Sequence, residues 1–233
     1  MKLRFMSAAI LVLLMTVGGV TVPSGRVSAD IDGDDLDEVG AFAVEVAGSA
    51  RGPWYQIYDG TGAPVLDKFM LNGWTGQKMK TIDINGDGAD ELIVLSTRIS
   101  DGKVVLRAYD STGNMLASVR LAPDGSVFTG FDFFPVNYNG GVPVEIAVVK
   151  ERIATSKGQY EVWSLAGSSL VRQAVGSGTV AETTGHQWAA ADVDGDGNEE
   201  LACLSTRNSD GVRRLHVLEP QSQTIVKKMT ISG

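Results

Sequence analysis

Three stretches of the chain repeat one acidic loop: DIDGDDLDEV from Asp30, DINGDGADEL from Asp83 and DVDGDGNEEL from Asp192. Of the 28 Asp and Glu residues in the sequence, 15 fall within the first nine positions of these loops. Like charges packed this densely repel one another unless a cation neutralises them. A solvated acidic run needs no fixed spacing, yet the spacing here is kept three times, with Gly at position 4 of each loop. Position 6 is Gly88 and Gly197 in two loops and Asp35 in the first. Both residue types tolerate the left-handed backbone that lets a chain wrap around an ion.

The pattern offers hard oxygen ligands at alternate positions, which suits Ca²⁺ and its six to eight oxygens in a forgiving geometry. The first loop supplies the side chains of Asp30, Asp32 and Asp34, the carbonyl of Leu36 and a closing Glu38. The second supplies Asp83, Asn85 and Asp87, the carbonyl of Ala89, and Glu91. The third supplies Asp192, Asp194 and Asp196, the carbonyl of Asn198, and Glu200. Up to three calcium ions are expected. Asp37, Asp90 and Glu199, at position 8, are expected to point into solvent. An EF-hand begins in the same way but needs a bidentate Glu at position 12 between two helices. Position 12 here is Ala41, Val94 and Cys203, and short apolar runs follow the second and third loops (ELIVLSTR, ELACLSTR), as strands require.

Repetition extends beyond the loops. LSTR, one variable residue and SDG recur after Leu92 and after Leu201, and each tail divides into three strands: 92–99, 103–110 and 114–121, then 201–207, 212–218 and 223–231. The Ser-Asp-Gly and Ser-Thr-Gly clusters between them are hairpin turn chemistry. A further strand leads into each loop (KMKTID, QWAAAD). The gap between the second and third loops is about two repeats long, and TGFDFFPVNYNGGVPVEIAVVKE within it reads as a degenerate copy. Asp132 takes its first position and Glu145 its last, and a longer loop destroys the ligand spacing, so no metal is assigned there. The expectation is an all-β chain, a β-propeller of four four-stranded antiparallel blades over 26–73, 74–122, 126–177 and 186–231. A closed ring is favoured. The alternative, an incomplete or open propeller, would expose sheet faces and call for self-association or a partner.

On these loops and strands the chain resembles the FG-GAP and VCBS repeat families, whose blades form integrin-α-like propellers. The resemblance covers about residues 26 to 231, and it implies calcium in the loops and roles ranging over adhesins, receptors and enzyme accessory domains. Glu closes each loop where those families usually place Asp.

Residues 1–29 read as a secretory signal. Lys2 and Arg4 precede an apolar core, and Val27-Ser28-Ala29 fits a small-residue cleavage site. Cleavage there would remove the strand that leads into Asp30, so an earlier cut or an incomplete first blade is the alternative. The expected location is secreted, periplasmic or cell-surface. The net charge of −8, with no basic stripe, argues against nucleic acid and anionic membranes as partners. Cys203 is the single cysteine, which excludes an intrachain disulfide, and its LACL setting reads as buried packing.

Only two histidines occur, His186 and His216, and the chain has no HExxH, G-x-S-x-G, Walker or GxGxxG motif. His186 is expected to be structural or exposed, and His216, in RRLHVLE, to lie at the surface. Trp74 and Trp188 lie on inter-blade connections, while Trp54 and Trp163 read as core. Asp101 and Asp210 belong to the SDG turns. The sequence alone therefore favours a non-catalytic, calcium-stiffened module that binds a protein or carbohydrate ligand. A polysaccharide-active hydrolase or lyase and a fragment of a longer repeat protein are the alternatives.

Overall fold

A computed structural model describes residues 28–29, 38–43, 54–58, 62–70, 73–122, 128–141, 144–177 and 183–231. The first acidic loop, from Asp30 to Asp37, and the signal segment up to residue 27 lie outside the described residues, as does the side chain of Glu38. Every regular element described is a strand. The strands that follow the loops are short continuous apolar runs (LIVL, IAVV, LACL), as strands buried on both faces require.

The strands form four antiparallel four-stranded sheets, each a simple meander. Blade 1 holds β1 (Ser28–Ala29), β2 (Glu38–Ala43), β3 (Trp54–Tyr58) and β4 (Pro64–Met70). Blade 2 holds β5 (Trp74–Ile82), β6 (Glu91–Arg98), β7 (Val104–Tyr109) and β8 (Met115–Ala122). Blade 3 holds β9 (Phe128–Val136), β10 (Glu145–Arg152), β11 (Lys157–Ala166) and β12 (Ser169–Ser177). Blade 4 holds β13 (Thr183–Ala191), β14 (Glu200–Arg207), β15 (Arg213–Glu219) and β16 (Thr224–Ile231).

The core lies between blades. Ile57 and Leu66 of blade 1 meet Leu92, Val94 and Tyr109 of blade 2. Ile93, Leu95, Leu106 and Ala108, on the other face of blade 2, meet Ile146, Val148 and Trp163 of blade 3. Ala147, Val149 and Val162 of blade 3 then meet Leu201, Cys203 and Leu218 of blade 4. Blades 2 and 3 are thus apolar on both faces, and burying a Leu or Ile side chain this way contributes about 1.5–3 kcal/mol. Trp163 and Cys203 are buried as expected.

Hairpins are pinned as the SDG clusters predict. Asp101 pairs with Arg98 and accepts from the Lys103 amide at 3.2 Å, and Asp210 pairs with Arg207 and accepts from the Val212 amide at 3.1 Å. His216 departs from expectation: it is fully buried. Its strand presents Leu215 and Val217 to one face and His216 and Leu218 to the other, and this second face, shared with Cys203 and Leu201, packs on blade 3.

The inner strands adjoin in chain order, β1 to β5, β5 to β9 and β9 to β13. Among the described residues no comparable packing joins β13 back to β1. The described residues therefore trace an open arc and not the favoured closed ring, and every residue of β16 is exposed.

Candidate functional site

The loop of blade 4 connects β13 to β14 and folds around its own first side chain. Asp192 accepts from the Gly195 amide at 2.6 Å and from the Gly197 amide at 3.1 Å. Gly197 has φ 92°, a backbone that L side chains rarely adopt, and this explains glycine at position 6. Glu200 opens β14, where burial in the sheet fixes its direction. Its Oε2 accepts from the Val193 amide at 2.7 Å, which returns the carboxylate to the start of the loop.

Carboxylate oxygens of Asp192, Asp194 and Glu200 consequently lie within 4.8 Å of one another, an arrangement that can hold a metal ion. Glu200 is 1% exposed, and its Oε1 is buried with no hydrogen-bond partner. A buried carboxylate oxygen is normally satisfied. The carboxyl is pushed above its ordinary range by burial, with Asp194 and Glu219 adding to the effect. An orphaned anion among like charges is what a cation relieves, so the residues present fit a divalent ion. Asp196 stands apart: its oxygens take the Asn198 amide at 2.8 Å and the Asn198 side chain at 3.1 Å.

Blade 2 repeats the backbone framework. Asp83 accepts from Gly86 at 2.6 Å and Gly88 at 3.2 Å, and Glu91 Oε2 accepts from the Ile84 amide at 3.1 Å. Position 3 makes the difference. Asn85 Nδ2 donates to Asp87 at 2.8 Å and to Glu91 Oε1 at 2.7 Å, so an amide already serves the buried carboxylate. Glu91 is still pushed up to about 7, by burial first and by the Asp87 and Asp83 charges after it. Among the described residues, the three-carboxylate gathering occurs in blade 4 and not here.

Blade 3 carries the same loop, and sequence reasoning set it in the wrong place. Position 1 is Asn137, not Asp132, and NYNGGVPVE runs to Glu145 with no change in length. Asn137 accepts from the Gly141 amide at 2.7 Å, the Tyr138 amide donates to Glu145 Oε2 at 3.1 Å, and the Asn139 amide donates to Glu145 Oε1. Amides replace carboxylates at positions 1 and 3, which leaves no carboxylate cluster for a metal. Asp132 instead sits in β9 and bridges to Lys78 of β5 at 3.0 Å.

Glu199 also departs from expectation. Its Oε2 accepts from the Asn137 amide at 2.7 Å, and its own amide donates to the Asn137 carbonyl at 2.8 Å. Gly140 approaches the same loop so closely that a Cβ would stand 3.1 Å from Asn198 Oδ1. The blade 4 loop is therefore docked on the blade 3 loop.

Beside this junction the inner strands of blades 2, 3 and 4 line an open groove of about 560 Å³. Its lining includes Lys80, Asp132, Phe134, Trp188, Asn137 and Glu199. Trp188 is steadied edge-on by Tyr160, with ring centroids 6.3 Å apart. Lys80 is exposed and makes no salt bridge among the described residues. His186, by contrast, is a structural clip, with Nδ1 at 3.0 Å from Glu151 and Nε2 at 3.0 Å from Thr183. Trp74 lies under the Arg107 guanidinium, 3.6 Å from the ring centroid, and so packs within blade 2.

No family model and no curated protein matches the chain. Solved structures do match. The rhamnogalacturonan lyase YesW gives a TM-score of 0.60 at 15% identity over 94% of this chain and 54% of that one. The Bacillus licheniformis rhamnogalacturonan lyase PL11 gives 0.59 at 16% identity over the same shares, 94% and 54%. The Dos1 propeller gives 0.52 at 15% identity over 89% and 46%. The chain thus spans about half the length of these structures, and at such identities the likeness shows the fold, a β-propeller. It also overturns the expectation of a non-catalytic protein. Lyases carry this fold, so the absence of a familiar catalytic motif gives no ground for excluding enzymatic activity.

Proposed function

We propose that the chain is an exported calcium-bearing propeller of the FG-GAP/VCBS kind that acts as a lyase on an acidic polysaccharide. The groove between three successive inner strands carries this reading. It presents the Trp188 and Phe134 rings for stacking on sugar faces, the Lys80 ammonium for a uronate carboxylate, and the Asp132 and Glu199 carboxylates beside them. The volume of about 560 Å³ suits a few sugar units. The likeness to rhamnogalacturonan lyases supports the same substrate class.

A lyase breaks such a chain by β-elimination. A base removes the proton on the carbon bearing the carboxylate, the neighbouring carbon–oxygen bond breaks, and the departing sugar oxygen takes up a proton. A double bond remains in the residue left behind. Lys80 would neutralise the carboxylate and so acidify that proton. Calcium in the blade 4 loop, held by Asp192, Asp194 and Glu200, would keep the Glu199 wall of the groove in position. Calcium at the Asp83 and Asp30 loops belongs to the same reading.

The test is incubation with rhamnogalacturonan, polygalacturonate and a neutral glucan in calcium. Release of unsaturated, ultraviolet-absorbing ends from an acidic polymer, reduced at least tenfold by Lys80→Ala with the fold intact, supports the reading. Absence of such ends from every acidic polymer overturns it.

A further inference from the structure

We infer that the seam between blades 3 and 4 holds a small monovalent anion of halide size, bound by Ser205, Arg214 and His216. The inference is independent of the lyase reading and of the calcium loops.

The three side chains share one face of blade 4. Ser205 on β14 lies directly opposite Arg214 on β15, and Cys203, two residues before Ser205, lies directly opposite His216. Side chains opposed in this way stand about 5 Å apart at Cβ, and diagonal neighbours stay within reach of long side chains. Leu201, Cys203 and Leu218 of the same face pack on Ala147, Val149 and Val162 of blade 3, which sets the cluster inside the protein. His216 is 0% exposed and Ser205 1%.

Ser205 Oγ, Arg214 Nε and both ring nitrogens of His216 are buried and have no hydrogen-bond partner in the protein. Buried polar atoms are normally satisfied. Blade 2 shows what the same positions do when the chain satisfies them itself. Counting from the closing Glu91 and Glu200, Ser96 matches Ser205, Arg107 matches His216, and Val105 matches Arg214. Arg107 Nη1 donates to Ser96 Oγ at 2.7 Å, and its guanidinium rests 3.6 Å from the centroid of the Trp74 ring. The two positions are thus within contact distance of each other. In blade 4 the shorter His216 ring makes no such bond, Thr183 stands in place of Trp74, and a guanidinium has moved to the position of Val105.

The donor set selects the ligand. Arg214 Nε can only donate, a neutral imidazole presents one N–H, and the Ser205 hydroxyl rotates to donate. Three donors therefore meet, and no acceptor of the chain answers them. The charges that reach the His216 ring are those of Lys228, directly opposite on β16, and of Arg214, both positive. Asp210, the carboxylate that the Arg214 charge reaches, already serves Arg207 and the Val212 amide. Such surroundings repel a cation, and a water molecule leaves the positive charge uncompensated. A halide accepts from all three donors and neutralises one charge. Enclosure between two sheets fits a single atom better than a phosphate or a carboxylate.

The test is thermal melting of the full chain in calcium at pH 7, with sodium methanesulfonate exchanged stepwise for sodium chloride at constant ionic strength. Chloride should raise the melting temperature with saturation, by about 3 °C at ten times its Kd. His216→Phe, whose ring cannot donate, and Ser205→Ala should each weaken the apparent chloride affinity at least tenfold. Ser96→Ala, at the matching position of blade 2, should leave it unchanged. Ser205→Ala decides the matter if His216→Phe fails to fold. Crystals grown in bromide should show an anomalous peak between Ser205, Arg214 and His216. Melts that coincide in the two salts, a chloride midpoint shifted less than tenfold by either substitution at the seam, a response lost in Ser96→Ala, or water-like density without anomalous signal at that point would each overturn the inference.

Discussion

Glu199 and Asn137 hold each other twice, side-chain oxygen to amide at 2.7 Å and amide to carbonyl at 2.8 Å, across 62 positions of sequence. The contact ties the acidic loop of blade 4 to the amide-filled loop of blade 3. It also sets one wall of the inner groove, so ion binding, blade packing and the groove share a residue.

Glu199→Ala leaves the Asn137 amide without its carboxylate acceptor. Loss of a hydrogen bond to a charged group at a part-buried site costs about 1.5–3 kcal/mol. Urea unfolding in calcium should show a drop of that size, and Glu199→Gln should recover part of it.

Chelation should lower the melting temperature, because an ion that binds only the folded chain stabilises it by about 1.4 kcal/mol at ten times its Kd. Asp192→Ala, Asp194→Ala or Glu200→Gln should each abolish the response that belongs to blade 4. Asp196→Ala should weaken it less, since that side chain is turned towards Asn198. Calorimetric titration of each variant with calcium checks the ranking.

Asn85→Asp converts the blade 2 loop to the all-acid form of blade 4. It removes the amide that serves Asp87 and Glu91 and sets a third charge beside them. In chelator the variant should be less stable by about 2 kcal/mol. Its calcium affinity should rise, so that thermal melts with and without the ion diverge more than those of the parent.

Buried His216 has no hydrogen-bond partner on either ring nitrogen, and burial, followed by the Lys228 and Arg214 charges, holds its pKa below the ordinary 6.5. The folded form therefore resists a proton that the unfolded chain accepts. The contribution of this group is complete above pH 6.5 and is lost as the pH falls below that value towards the lowered folded pKa. Urea titrations between pH 7.5 and pH 5 should show less acid destabilisation in His216→Phe than in the parent.

Much of the architecture was legible because the loops mark the blades. A ligand set at fixed spacing is a one-dimensional signal, and the strand after each closing Glu follows from its apolar run. The blade 3 loop escapes a pattern built on carboxylates. Asn137, Asn139, Gly140 and Glu145 keep positions 1, 3, 4 and 9, and a search that allowed amides for acids would have found them. The setting of Glu199 was out of reach, since its partner belongs to another blade. His216 departs from the expectation for a related reason: alternation separates two faces of a strand but does not say which of them meets the neighbouring blade.

The position 3 side chain has a consequence for how the molecule meets a changing medium. Asn139 and Asn85 carry their own positive pole into the loop, whereas Asp194 borrows one from outside. Falling calcium would therefore slacken the arc from its blade 4 end, while the middle of the molecule stays set.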